Sequence, residues 1–277
     1  MTEFRIEKDS IGEIEVPSNK LWGAQTQRSL KNFPIGKDIM PEELINAFAI
    51  QKKAAAISNM AIGKLDPNLG EKIIEVCDEI ILGNLYTHFP LSVWQTGSGT
   101  QTNMNLNEVI ANKANETLGK DLGSYNPVHP NDHCNLGQSS NDSFPTAMHI
   151  AAVVQTNEKL IPSVQKLLNV LERKKKQFQG VIKIGRTHMQ DATPITLDQE
   201  LGGFSSQISN AQKRINFALN EVHYIAQGGT AVGTGLNTSK KFISGFVEAL
   251  KMITGYDFKD SPNKFEALSS HESLLNL

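Results

Sequence analysis

The clearest pattern in the chain is the recurrence of apolar residues at steps of three and four, which predicts helices along most of its length. Asp66 and Pro67 suit the N-cap and first turn of one such helix, and Gly83 suits its end. Alternation of apolar and polar residues is confined to residues 4–7 and 14–16, where it predicts a small hairpin. The longest helical run predicts the seam of a bundle and consists of Leu197, Leu201, Phe204, Ile208, Ala211, Ile215, Ala218, Val222 and Ile225.

A break in this pattern divides the chain into two parts. Residues 120–142 are irregular and rich in glycine and proline, so we place a domain boundary near their end. The expected domains are residues 1–138 and residues 139–277. In the second, a long helix is expected from about Pro145, kinked or split at Pro162. Other apolar stripes predict helices over residues 106–118, 242–253 and 265–268.

Composition narrows the possible partners. The chain has 277 residues, enough for a large core, with 27 basic and 29 acidic side chains and a net charge of −2. It has no basic stripe and few aromatic residues, which argues against nucleic acid and favours a small-molecule ligand. No apolar run is long enough for a membrane span, and the first residues match neither a secretory nor an import signal. Two cysteines, of which Cys77 falls on an apolar helix face, suit a reduced cytoplasmic protein.

The candidate binding and catalytic residues lie in three short polar loops before predicted helices. They span residues 97–103, 138–143 and 184–192. A helix N-terminus has free N–H groups and the positive end of the helix dipole, so Ser, Thr, Asn and Gly there suit a bound carboxylate or phosphate. Taken singly, the first two loops are equally well explained as turns and ordinary helix caps. The three loops together favour one anion site.

His188 is the strongest candidate for acid/base chemistry. It lies beside Thr187 in a short polar loop, where a core histidine is not expected, and its titration range suits proton transfer. His129, His133 and Cys134 are close enough in sequence to suggest zinc, but no second pair of ligands with metal spacing follows. We therefore expect no metal.

Four long motifs contain these loops: GSGTQTNMNLNEV, VHPNDHCNLGQSSNDSFPTAMHIAA, IGRTHMQDATPITL and GGTAVGTGLNT. They resemble the class II fumarases of the fumarase/aspartase superfamily, and the resemblance extends from the first hairpin to residues 262–268. It implies a mainly α fold: a small N-terminal β hairpin, an N-terminal helical domain, then long helices of a tetrameric bundle, with active sites shared between three subunits. It also implies reversible hydration of fumarate to malate without a cofactor, through a carbanion stabilised as an aci-carboxylate.

The resemblance also implies roles for individual residues. His188 resembles the histidine that handles the proton or water. Aspartate ammonia-lyases share most of these loops but typically carry Gln at position 188 and Ala at position 98, so they are the less favoured alternative. Asn126 stands where some fumarases have a basic residue, beside a second dicarboxylate site that is implied at His129, Pro130, Asn131 and Asp132. Contacts to the substrate carboxylates are implied for Ser98, Gly99, Thr100, Ser139, Ser140, Asn141 and Thr187.

One motif of the fumarases is absent from these 277 residues. It is a downstream loop, GSSxMPxKxNP, with the serine believed to take the C3 proton and a lysine that meets the substrate carboxylate. We therefore expect a truncated fumarase with an incomplete bundle, somewhat over half of the enzyme. Two hypotheses stay open: an enzyme whose missing half comes from a separate chain, or a non-enzymatic remnant that survives as a helical association module. In either case we expect the isolated chain to have no hydratase activity.

Overall fold

The computed structural model describes residues 3–277, which form two compact units. The first unit runs up to Ala152 and resumes over His223–His271, and the second comprises Val153–Val222 and Glu272–Leu277. The expected mainly α fold with a small N-terminal hairpin is confirmed. Among the helices of the described chain, none combines the length and apolar character needed to cross a membrane. The domain boundary expected after residue 138 stays a prediction.

The elements follow the apolar pattern closely. Ile14 and Val16 are buried while the alternating Glu13 and Glu15 are exposed, so the predicted hairpin places one face on the core. In chain order the strands and main helices are β1 (Phe4–Asp9), β2 (Gly12–Pro17), α1 (Ala24–Asn32), α2 (Glu42–Ala61), α3 (Pro67–Ile81), α4 (Thr100–Thr117), α5 (Ser140–Gln155), α6 (Ile161–Gln177), β3 (Ile182–Thr187), β4 (Gln190–Thr196), α7 (Leu197–Val222), β5 (Tyr224–Ile225), α8 (Lys240–Thr254), β6 (Lys259–Asp260), α9 (Lys264–Ser269) and α10 (Glu272–Asn276).

α3 shows how local sequence sets a helix and its packing in the first unit. Asp66 is its cap and accepts the N–H groups of Asn68 at 2.9 Å and Leu69 at 3.3 Å, while Pro67 occupies the first turn, as predicted. α2 packs against both α3 and α8. The buried face of α3 therefore forms part of the hydrophobic core, through Ile73, Val76, Cys77 and Ile80.

α4 is buried on most sides and carries a row of asparagines that anchors the loops around it. Asn115 donates to the carbonyl of Val128 at 2.8 Å and accepts the N–H of the same residue at 2.9 Å. Asn112 donates to the carbonyl of Leu21 and accepts the N–H of Gly123, both at 2.8 Å. Because an asparagine amide both donates and accepts, each side chain satisfies two backbone groups.

α1 lacks a capping side chain of its own, and two carboxylates take that place. Glu7 on β1 accepts the N–H of Ala24 at 3.0 Å. Burial raises the pKa of Glu108 on α4 to about 7, while its hydrogen bonds act in the opposite direction. Glu108 accepts at 2.6–3.1 Å from the N–H groups and the hydroxyl at the start of α1, in Gly23, Gln25 and Thr26.

Three details differ from the expectation or refine it. α5 begins at Ser140 instead of Pro145, which lies inside the helix, because the residues before the proline already supply the cap. The interruption expected at Pro162 is confirmed, since Thr156–Leu160 form a π-helical turn directly before α6. α7 ends at Val222, so the assignment of Ile225 to this helix is wrong: that residue lies in β5, which pairs parallel to β6.

Candidate active site

The first polar loop forms the entry to α4. Gly99 is the N-cap, with φ of +71°, and Thr100 is the first helical residue. The hydroxyl of Ser98 lies 3.2 Å from that of Thr96 and 3.1 Å from that of Thr100. A Cβ at Gly99 would lie 2.1 Å from the ring of Phe144 on α5, so the close contact and the positive φ both require glycine. The exposed hydroxyls of Ser98 and Thr100 are therefore held at the positive end of α4.

The second polar loop begins α5 and touches α4. Ser139 Oγ accepts the N–H of Asn141 at 3.2 Å, so this serine does cap the helix. Asn103, in the first turn of α4, donates to Ser140 Oγ at 3.0 Å. Asn141 Nδ2 donates to the carbonyl of Ala231 at 2.7 Å. The N-termini of two helices are thus adjacent, and each is a helix end of the kind that suits an anion.

Asp142 joins this loop to the motif that begins at Gly228. Its buried carboxylate accepts the N–H groups of Ser139 at 2.9 Å, Gly228 at 3.0 Å and Thr230 at 2.9 Å. Burial raises the pKa of Asp142, and the three hydrogen bonds act to lower it. The carboxylate is therefore a fixed acceptor that holds two distant loops in one place.

A pocket of about 640 Å³ lies between these loops. Ser139 and Ser140 line it together with Asn131 and Asp132, so it unites residues of the expected substrate site and of the expected second site. Thr230, Ala231, Leu236 and Asn237 contribute further lining. A wall of hydroxyl and amide groups at a helix N-terminus suits a carboxylate ligand.

Of the remaining residues of the expected second site, Pro130 begins the π-helical turn Pro130–Cys134 and His129 is its N-cap. His129 Nδ1 lies 3.2 Å from the carboxylate of Asp132 and accepts the N–H of Asn131 at 3.3 Å. His133 Nδ1 accepts the N–H of His129 at 2.8 Å, and burial lowers the pKa of His133. Within residues 3–277, no three His, Cys, Asp or Glu side chains are placed to share a metal ion.

The third polar segment is a β hairpin, so its assignment as a loop is wrong, although its second strand does lead directly into the long helix α7. β3 and β4 pair as antiparallel strands with Thr187 opposite Gln190, which leaves His188 and Met189 as a two-residue turn. Their φ values are +52° and +59°. Two-residue turns with both φ positive normally use Asn-Gly, and a larger side chain there costs about 1–2 kcal/mol. The hairpin therefore holds an exposed histidine in a strained turn, as is common at functional sites.

The structure groups the expected site residues in two places. Ser98, Gly99, Thr100 and residues 139–141 meet in the first unit, whereas Thr187 and His188 belong to the second. Their roles stay predictions. The polar groups behind the loops are not among the expected site residues, although the many asparagines of α4 were a visible signal. They are the buried Lys52, Asn103 and Asp142 and the half-buried Asn135 and Gln138.

Comparison with known proteins agrees with the resemblance found in the motifs. The mitochondrial fumarate hydratase of Rhizopus oryzae is 56% identical over 277 residues, which cover 99% of this chain and 56% of that protein. The class II fumarate hydratase of Brucella suis biovar 1 is 55% identical over 276 residues, covering 100% of this chain and 60% of that one. The crystal structure of class II fumarase from Schistosoma mansoni matches with a TM-score of 0.95 at 44% identity, covering 99% of this chain and 61% of the other.

The extent of these matches shows the family of the chain and how much of its relatives it covers. It spans somewhat more than half the length of the curated relatives it matches. A family model described as Lyase matches residues 12–277, almost the entire chain. The chain therefore belongs to the lyase family, and within it is similar to class II fumarate hydratases.

Proposed function

We propose that this chain carries dicarboxylate-binding residues of a fumarate hydratase, which adds water reversibly to fumarate to give malate. The observation that carries the proposal is the meeting of the N-termini of α4 and α5, joined by the hydrogen bond from Asn103 to Ser140. Two such helix ends with exposed hydroxyls suit a dianion better than one, because each supplies free N–H groups and a positive dipole end.

In this proposal the two polar loops of the first unit bind substrate carboxylates. The hydroxyls of Ser98, Thr100, Ser139 and Ser140 and the amide of Asn141 donate hydrogen bonds to carboxylate oxygens. These bonds strengthen when the substrate carbanion places more charge on a carboxylate, and this difference stabilises the transition state.

Thr187 and His188, in the second unit, take their proposed roles in an enzyme whose active sites are shared between subunits. There Thr187 contacts a substrate carboxylate, and the imidazole of His188 moves a proton to or from water. A fixed turn at the tip of β3 and β4 suits this role, because a histidine that transfers protons must be held in one orientation. His129, Pro130 and the pocket residues Asn131 and Asp132 form a second dicarboxylate site in the proposal.

A polypeptide of these 277 residues alone is proposed to bind dicarboxylates weakly and to catalyse no hydration. It contains neither the serine nor the lysine of the GSSxMPxKxNP loop. Loss of a general base costs about 10²–10⁴ in rate. Activity is proposed for a homotetramer in the cytoplasm in which that loop is also present.

The test follows the ultraviolet absorbance of fumarate during incubation with malate. The chain is assayed alone and after mixing with a polypeptide that corresponds to the part of the Brucella suis relative beyond the match. We expect no turnover alone and turnover after mixing, and a His188→Asn variant should remove the restored activity. Turnover by the chain alone would contradict the proposal, and release of ammonia from aspartate in the mixture would favour an ammonia-lyase instead.

A further inference from the structure

Lys52 on α2 is a buried cation without a carboxylate partner. The residue is 1% exposed, and its Nζ donates to Asn135 Oδ1 and to Gln138 Oε1, each at 3.0 Å. The ammonium also lies 5.6 Å from the centre of the Phe48 ring. Among residues 3–277, no ion pair joins Lys52 to an acidic side chain. A buried ammonium held only by neutral groups is costly, and it retains a positive potential towards its surroundings.

The two amides that hold Lys52 are also part of the pocket wall. Asn135 and Gln138 both line the 640 Å³ pocket beside Ser139 and Ser140. Asn135 Oδ1 accepts a second hydrogen bond at 3.1 Å from Asn103, whose amide group also donates to Ser140. A single layer of side chains, Asn135 and Gln138, therefore separates the ammonium from the pocket surface that binds a carboxylate in the proposed site.

The ionisable groups near Lys52 do not neutralise it. Cys77 on α3 and Cys134 on the π-helical turn are buried thiols, and burial raises the pKa of both well above neutrality. Asp142 on α5 already accepts three backbone N–H groups. Burial lowers the pKa of Lys52 to about 7, and these three neighbours oppose that shift only in part.

We propose that Lys52 is a positioning residue for the anion in this pocket: its ammonium, acting through Asn135 and Gln138, favours a carboxylate bound at Ser139 and Ser140. The inference rests on the proposed function. Because a nearby anion stabilises the protonated amine, binding of the carboxylate and binding of a proton to Lys52 promote each other. The chain should then take up protons as it binds a dicarboxylate near neutral pH.

Fumarate is the probe, titrated calorimetrically into the 277-residue chain at about pH 6 and about pH 9, where its carboxyl groups remain ionised. Chloride holds the ionic strength constant. We expect binding to weaken about tenfold between the two pH values in the wild type. Lys52→Met should bind weakly at both, and Lys52→Arg should bind equally well at both because arginine stays charged. Lys53→Met is the matched control, since Lys53 lies next in sequence, is more exposed and pairs with Asp78.

Proton uptake gives a second measurement that a purely structural role would not change. It is obtained by repeating the titration near pH 7 in buffers with different ionisation enthalpies. Uptake should persist in Lys53→Met and fall in Lys52→Arg by the part that Lys52 contributes. His129 and Asp132 are unchanged in every Lys52 variant, so they do not affect this difference.

The outcomes separate the inference from the proposed function. Fumarate binding in Lys52→Met and Lys52→Arg with wild-type affinity, pH dependence and proton uptake would overturn the role of Lys52 and leave the binding site standing. Absence of fumarate binding to the wild type at either pH would remove the proposed site and the inference together. If Lys52→Met does not fold, the comparison of Lys52→Arg with the wild type decides alone.

Discussion

Replacement of Asn115 by leucine tests whether the asparagines of α4 stabilise the fold through their hydrogen bonds. Leucine has nearly the same volume, but it removes both bonds to Val128, whose N–H and carbonyl are buried. A buried polar group left without a partner costs about 1–3 kcal/mol. Asn115→Leu should therefore lower the free energy of unfolding by about 2–6 kcal/mol.

The measurement is urea-induced unfolding followed by circular dichroism, and the same helix supplies the controls. Asn105 makes one bond, to the His88 carbonyl at 3.1 Å, so Asn105→Leu should cost about half as much, roughly 1–3 kcal/mol. Asn107 is also fully buried, but its amide reaches only the sulfur of Met104 at 3.8 Å and its Oδ1 has no partner in the described residues. Asn107→Leu should change stability by less than about 1 kcal/mol. Equal losses in all three variants would refute the reasoning.

Three further substitutions test single features. The pKa of Lys52 is about 7 in the folded chain against an ordinary 10.5, so the unfolded state binds more protons between these values and stability should rise with pH across this range. Urea unfolding of Lys52→Met at several pH values should lack that rise. Gly99→Ala should lower the free energy of unfolding by about 2–4 kcal/mol in thermal unfolding, because alanine is strained at positive φ and meets Phe144. Met189→Gly should raise it by up to about 1 kcal/mol in the same assay, since Met189 is 96% exposed and its turn conformation favours glycine.

Much of the fold could be predicted because helical periodicity and capping residues are local signals. Asp66 with Pro67 marked the start of α3, and the seam from Leu197 marked α7. β3 and β4 were not predicted because the alternation of apolar and polar residues is brief there. Glycine interrupts it, and the strand register shifts between Ile184 and Arg186. The turn residues gave no help, since histidine and methionine are not typical of a two-residue hairpin turn.

The polar loops of the candidate site could be predicted from the sequence, but the buried side chains behind them could not. Ser98, Ser139 and their neighbours stand in polar loops at helix starts, so their hydrogen-bonding groups could be inferred from sequence alone. Lys52 follows the polar Gln51 on α2, and nothing in a sequence of mixed charge shows which lysine is buried. Burial of a polar side chain depends on which distant segments pack over it, here residues 135–138. Such contacts are set by tertiary structure and leave no periodic signal.

The hydrogen bonds of Asp142 imply that the pocket forms late during synthesis of the chain. This carboxylate and the N–H groups of Gly228 and Thr230 are 86 and 88 residues apart. At about 5–20 residues per second, a ribosome needs roughly 4–18 s to add that length. For most of this interval α5 has been synthesised while the Asp142 carboxylate has only water, Ser139 and Ser143 as partners. Ribosome pausing between these positions would lengthen the life of this nascent form, in which the serines exist but the pocket does not.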